Sequence, residues 1–161
     1  MIILIQILTM VGCGVLAFQD IKDREVSWVL FPLLSITLTM LHFQNMDWPT
    51  LGVSILINII TVSFVVFLLW LITRFVFHKV FLNVSFGLGD LLYFYVLALG
   101  FPTVTFIYLF VGAVGFALLA FLPMKLFLKS DTVPLAGLMG IFLIAVLTIS
   151  LFPGSPSLYA M

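Results

Sequence analysis

The chain has 161 residues, of which 65% are hydrophobic and 7% charged; its formal net charge is zero and its mean hydropathy is +1.41. These values exclude an ordinary soluble globular domain, and six basic residues are too few for a phosphate-binding stripe, so no nucleic-acid partner is expected. The single cysteine, Cys13, excludes a disulfide framework or a cysteine-rich metal module, and the expected class is an all-α integral membrane protein forming one domain over residues 1–161.

A bilayer core of about 30 Å takes roughly 20 apolar residues per helical crossing, which leaves room for six crossings and short connections. Apolar runs broken by charge, Pro and Gly predict spans at 2–19, 28–43, 51–73, 88–101, 103–123 and 134–152. The first is not expected to be a cleaved signal peptide. Its positive charges follow the apolar core, in "QDIKDREV", where a signal peptide carries them in front. Trp28 and Trp48 stand at span boundaries, where indole rings anchor helices at membrane interfaces. In span three, Asn58, Thr61 and Ser63 are expected to hydrogen-bond neighbouring helices.

All six basic residues fall in odd-numbered connections: Lys22 and Arg24, Arg74 and Lys79, Lys125 and Lys129. Positive residues flanking spans are retained in the cytoplasm, so these loops are expected on the cytoplasmic side and both termini on the extracytoplasmic side. The alternation and the span count support each other, since a wrong count would scramble it.

Two acids differ from the rest. Asp23, Glu25 and Asp131 sit beside Lys22, Arg24 and Lys129 and are read as solvated loop charges; Asp47 stands in an outer connection. Asp20, however, closes the first apolar run, and Asp90 opens the fourth, in "SFGLGDLLYF". A carboxylate at the bilayer centre costs about 2.5–3.5 kcal/mol, less near a helix end, so such residues invite a functional reading. Taken alone, Asp90 also fits a helix N-cap or dipole partner, and Asp20 an interfacial residue at the end of its helix. Together, at one depth on one side, they suggest a pair that shares a proton and activates water. Gly87 and Gly89, just before Asp90, would let a substrate backbone or a neighbouring helix come close.

These residues resemble the type IV prepilin peptidases and archaeal preflagellin peptidases, the GxGD-type aspartyl proteases of membranes. The family's first motif, D-x-x-x-R-x-I-P-N/D at the end of the first helix, is matched in "DIKDREVSW" at Asp20 and Arg24, and conservatively at Val26; Ser27 and Trp28 replace the usual Pro and Asn or Asp. The second motif, G-x-G-D, is complete in Gly87, Gly89 and Asp90, with Leu92 where many members carry lysine. The stretch "DTVPLAGLMG" is similar to the family's "IPFAPFLALG", with Pro134 in the matching place. The resemblance implies catalysis by Asp20 and Asp90, with Gly87, Gly89 and Arg24 as motif residues around the substrate. It also implies cleavage of the leader of pilin-like precursors at the cytoplasmic face of a bacterial or archaeal inner membrane. The cysteine-rich insertion associated with methyltransferase activity in larger members is missing, so no N-methylation is expected.

No metal or other cofactor is expected: His42 and His78 fall on opposite sides of the membrane, without carboxylate or cysteine partners at ligand spacing. No serine stands in a nucleophile-elbow setting. Two other readings of the same acids stay open, a small proton-coupled transporter or channel component and an inactive relative that binds pilin-like helices without cutting them.

Overall fold

A computed structural model of the chain describes residues 1–75, 87–128, 133–152, 154 and 157–159, the side chains of 125–128 aside. The expectations concerning His78, Lys79, Lys129, Asp131 and the Lys125 side chain lie outside the described residues. Among the described residues there are six helices: α1 (Ile2–Lys22), α2 (Leu30–Phe43), α3 (Trp48–Phe75), α4 (Leu88–Gly100), α5 (Thr103–Leu128) and α6 (Leu135–Ser150). They follow the predicted spans closely. The largest difference is α5, which runs on through Pro123, where the apolar run was expected to end. A proline removes one helical hydrogen bond and crowds the preceding turn, but the chain on either side of it remains helical.

Three helices, Ile2–Lys22, Trp48–Phe75 and the Thr103–Met124 part of α5, are long and apolar enough to cross a membrane. The other three are shorter, with 14 residues in α2, 13 in α4 and 16 in α6. At 1.5 Å per residue they reach only about 20–24 Å. The long helices turn much of their apolar surface outward; in α3, Leu56, Ile60 and Phe64 are about 60% exposed. An apolar exterior of this extent needs an apolar surrounding or a partner to cover it.

Successive helices alternate in direction. At one end of the bundle Gln6, near the start of α1, donates through Nε2 to the Leu147 carbonyl (3.0 Å) and to Ser150 Oγ (2.7 Å) at the end of α6. At the other end, the close of α1 meets the start of α6. Helix α4 is the innermost: it packs on α2, α3, α5 and α6, with Tyr93, Val96, Leu97 and Ala98 almost wholly buried. Its last carbonyls are satisfied by buried side chains of its neighbours. Asn58 Nδ2 donates to Ala98 O (3.0 Å) and Phe101 O (2.8 Å), and His42 Nδ1 lies 3.1 Å from Leu99 O, placing the ring proton on Nδ1. In an apolar surrounding these carbonyls have no water to turn to, which is why polar side chains stand at fully buried positions. The expected interhelical use of Asn58 is thus observed. Thr61 differs: its hydroxyl returns to the Ile57 carbonyl of its own helix (2.8 Å). Ser63 lies 3.0 Å from the Tyr95 hydroxyl of α4.

The most extensive pairing is α1 with α6. Small residues permit it: a Cβ at Gly140 would stand 3.3 Å from the Cys13 carbonyl oxygen, and one at Gly137 would stand 3.3 Å from Ala17 Cα. Small side chains allow such backbone approach between helices that the hydrophobic effect alone does not bring together in lipid. Cys13 is fully buried in this seam, with Sγ 3.9 Å from the Tyr93 hydroxyl of α4.

Candidate active site

The end of the bundle opposite Gln6 and His42 gathers the close of α1, the start of α2, and the starts of α4 and α6. Asp20 lies in the last turn of α1, and Asp90 in the first turn of α4. Both carboxylates turn to the same place, the first turn of α6. Asp90 Oδ1 accepts from the Ala136 amide at 2.7 Å, and Asp20 Oδ2 accepts from the neighbouring Gly137 amide at 2.6 Å. The first amides of a helix have no intrahelical acceptor, and the helix dipole adds positive potential there, so this is a favourable seat for negative charge. Two residues 70 positions apart in sequence thereby become neighbours on consecutive amides.

The expected motif residues surround this pair unequally. Gly87 is the N-cap of α4, with an extended backbone (φ −68°, ψ 139°) that any residue can adopt, so conformation does not demand glycine. Space does: a Cβ there would stand 2.8 Å from Asp90 Oδ2, which occupies the clearance, with the Gly87 amide as a further partner of the carboxylate. At Gly89 a Cβ would meet only the Phe31 ring edge at 3.7 Å, an ordinary contact. The clearance at Gly87, expected to serve a neighbouring backbone, is thus used by the aspartate itself.

Arg24 follows the C-cap of α1 in the left-handed region, with φ 59°. A non-glycine residue there costs on the order of 1–2 kcal/mol. The turn is braced by Gln19, whose backbone carbonyl accepts from the Asp23 amide (2.8 Å) and whose side-chain oxygen accepts from the Ser27 amide (2.9 Å). The exposed guanidinium lies within electrostatic reach of both Asp20 and Asp90. Of the departures from the family pattern, Trp28 is exposed, whereas Leu92 packs against the apolar core.

Asp20 is only 9% exposed, while Asp90 is partly open to the exterior, so the pair has a closed side toward α1 and α6 and an open side toward α4's mouth. From the level of Phe101, where Asn58 docks, α3 runs on to Phe75 and so ends roughly 10 Å beyond Asp90 by helical rise. The carboxylates are therefore recessed behind the end of a neighbouring helix. Chemically, two adjacent carboxyls, each with one oxygen engaged by an α6 amide, keep lone pairs on the second oxygen for a proton or a water, that of Asp90 lying over Gly87. Among the described residues no group of three or more metal-ligating side chains occurs.

Two features of the site, and one of the seam that leads to it, escaped sequence reasoning. Ala136 and Gly137 stand in a stretch noted only for Pro134, although a proline followed by small residues at the start of an apolar run is a usable signal for an accessible helix N-terminus. Arg24's reach to Asp90 has no local signature, because the two are 66 positions apart. Gln6, which fastens the far end of the α1–α6 seam, is a lone polar residue in an apolar run. Comparison of the chain with protein-family models, with curated proteins and with solved structures finds no match in any of the three.

Proposed function

We propose that this protein is a membrane aspartic endopeptidase of the prepilin peptidase type, which removes the leader of pilin-like precursors by water activation between Asp20 and Asp90. The observation that carries this reading is the convergence of the two carboxylates on the consecutive Ala136 and Gly137 amides. Two buried or half-buried acids brought together at a net cost in solvation call for a use.

In the proposed reaction one proton is shared by the pair. The ionised carboxyl takes a proton from a water held between them as its oxygen bonds to the scissile carbonyl carbon. The other carboxyl, protonated, gives its proton to the carbonyl oxygen as it becomes tetrahedral. Collapse of that species breaks the C–N bond: the proton taken from water passes to the departing amine, while a hydroxyl proton of the tetrahedral species returns to the second carboxyl as the product carboxyl forms. The cycle consumes one water and returns the pair to its starting protonation. Arg24, in reach of both carboxylates, limits the repulsion between them when both are ionised.

The reading includes an orientation. All six helices span the bilayer of a bacterial or archaeal inner membrane, with both termini outside. The Asp20–Asp90 end, which also carries Lys22, Arg24 and Arg74, faces the cytoplasm. The short α2, α4 and α6 suit this placement, since they leave the dyad end reachable by water below the ends of α3 and α5. A precursor with its leader in the cytoplasm and its apolar helix in the bilayer would bring its scissile bond to that level.

The test is co-expression with a pilin-like precursor in membranes, following leader removal by mass. Cleavage by the native protein that is lost in both Asp20→Asn and Asp90→Asn is the expected result. Cleavage that survives either substitution excludes the two-carboxylate mechanism.

A further inference from the structure

The dyad of the proposed function is not assembled by the two helices that carry it. Among the described residues, no Cα of α1 lies within 8 Å of one in α4. What the two aspartates have in common is α6: each accepts from one amide of its first turn, Asp90 from Ala136 and Asp20 from Gly137. These bonds also select oxygens. With Asp90 Oδ1 and Asp20 Oδ2 engaged by α6, Asp20 Oδ1 is left for water and proton, while Asp90 Oδ2 is kept in place over Gly87, whose amide is a further partner of the Asp90 carboxylate, and turns its remaining lone pair outward.

A second observation concerns Gly137 by itself. A Cβ there would stand 3.0 Å from both Cβ and Oδ2 of Asp20 and 3.3 Å from Ala17 Cα. Oδ2 could swing away, but Asp20 Cβ and Ala17 Cα belong to the body of α1, which would have to retreat. The missing side chain of Gly137 is thus what allows its own amide to reach the carboxylate. Gly140, one turn further along the same seam, offers a contrast: its added Cβ would press on the Cys13 carbonyl oxygen at 3.3 Å, away from either aspartate.

We infer that Gly137 is a positioning residue for the peptidase dyad, and that the first turn of α6 sets the spacing of Asp20 and Asp90 and which oxygen of each turns away from α6. The inference rests on the peptidase reading for its catalytic meaning, while the hydrogen-bond arrangement beneath it can be tested without any substrate.

The experiment has two arms on the full-length protein in detergent micelles or nanodiscs. In the first, amide proton and nitrogen shifts of Ala136 and Gly137 are recorded by NMR for the native protein, Asp20→Ala and Asp90→Ala. Removing a 2.6–2.7 Å bond to a carboxylate moves the amide proton clearly upfield, so Asp20→Ala is expected to shift Gly137 and Asp90→Ala to shift Ala136. If neither amide responds to its own aspartate, the inference is overturned. In the second arm, cleavage kinetics and the pH–rate profile are compared for Gly137→Ala and Gly140→Ala. Gly137→Ala is expected to lower kcat by roughly 10- to 100-fold with KM within about threefold and a displaced pH profile, as for a misplacement of about 1 Å at the reacting groups. Gly140→Ala, which loosens the same helix pair, is expected to leave the pH profile unchanged and kcat within about threefold. Equal effects of the two substitutions, or a native pH profile and kcat in Gly137→Ala, would reduce Gly137 to a packing residue and overturn the inference. Should Gly137→Ala fail to fold, the NMR arm decides. A native protein that cuts no precursor while its amides respond as expected would refute the peptidase reading and leave the α6 seat for both carboxylates standing.

Discussion

The two ends of α4 are built from opposite materials. At its C-terminal end, carbonyls of Ala98, Leu99 and Phe101 meet Asn58 and His42, neutral side chains with no exposed surface. At its N-terminal end stands Asp90, partly open, ionisable, and tied to a second carboxyl group through α6. The first end solves a folding problem: backbone groups in an apolar surrounding must be paired, and neutral donors do so without the cost of a buried charge. The second end creates a problem that folding did not require, since a leucine at either aspartate would be cheaper to bury. The difference separates residues that hold the bundle from residues to which the proposed function gives a reaction.

Substitutions can break this contrast, and the largest effect belongs to the charged end. Asp20→Asn or Asp90→Asn should lower cleavage by a factor on the order of 10³ or more while the thermal midpoint stays within a few degrees, because an amide oxygen still accepts from Ala136 or Gly137. Leader removal per folded molecule, with melting followed by circular dichroism, separates the two quantities. A mutant that instead unfolds would show the acids to be structural. Next in size is Gly87→Ala, whose Cβ would displace Asp90 Oδ2 from 2.8 Å; a loss of about tenfold or more in kcat is expected. Gly89→Ala sharpens this result: its Cβ fits the free protein, so a rise in KM without loss of stability would report on bound peptide at that position.

The neutral end should respond in the opposite sense. Asn58→Leu leaves the Ala98 and Phe101 carbonyls without their donor and should cost about 1–3 kcal/mol of stability, with cleavage per folded molecule near native. His42→Phe, which loses the single bond to Leu99, should cost about 1 kcal/mol. The smallest effect is expected for Ser63→Ala: its bond to the Tyr95 hydroxyl is exposed, and such interhelical bonds average about 0.6 kcal/mol. The pH–rate profile supplies a further comparison. Protonating both carboxyls at low pH removes the base, and stripping the shared proton at high pH removes the acid, so a bell-shaped profile is expected. Asn58→Leu should leave that profile in place. Either aspartate substitution should abolish it.

The helices were legible because their signal is local. A run of apolar residues bounded by charge and proline announces a helix of about that length, and the observed bounds mostly fall within a few residues of the expected spans. Proline misled at the end of α5, where the helix passes through Pro123 despite the lost bond. Asp20 and Asp90 were legible as candidates for a different reason: charge is so costly in an apolar run that its mere presence is informative. The role of the glycines was only half legible. Sequence indicated that space was needed near Asp90; it did not reveal that Asp90 itself takes the space at Gly87, nor that the more demanding glycine is Gly137.

By itself, then, the sequence determined the number and approximate bounds of the helices among the described residues, their alternation, and the two acids that share one end, because hydrophobicity and charge act residue by residue along the chain. Only the tertiary structure decided that α4 lies innermost, that α1 and α6 close on a seam of small residues, and that Asp20 and Asp90 meet on the Gly137 and Ala136 amides. Those facts depend on which backbones approach closely enough to hydrogen-bond, and that choice is made by packing among helices far apart in sequence, where no local pattern records it.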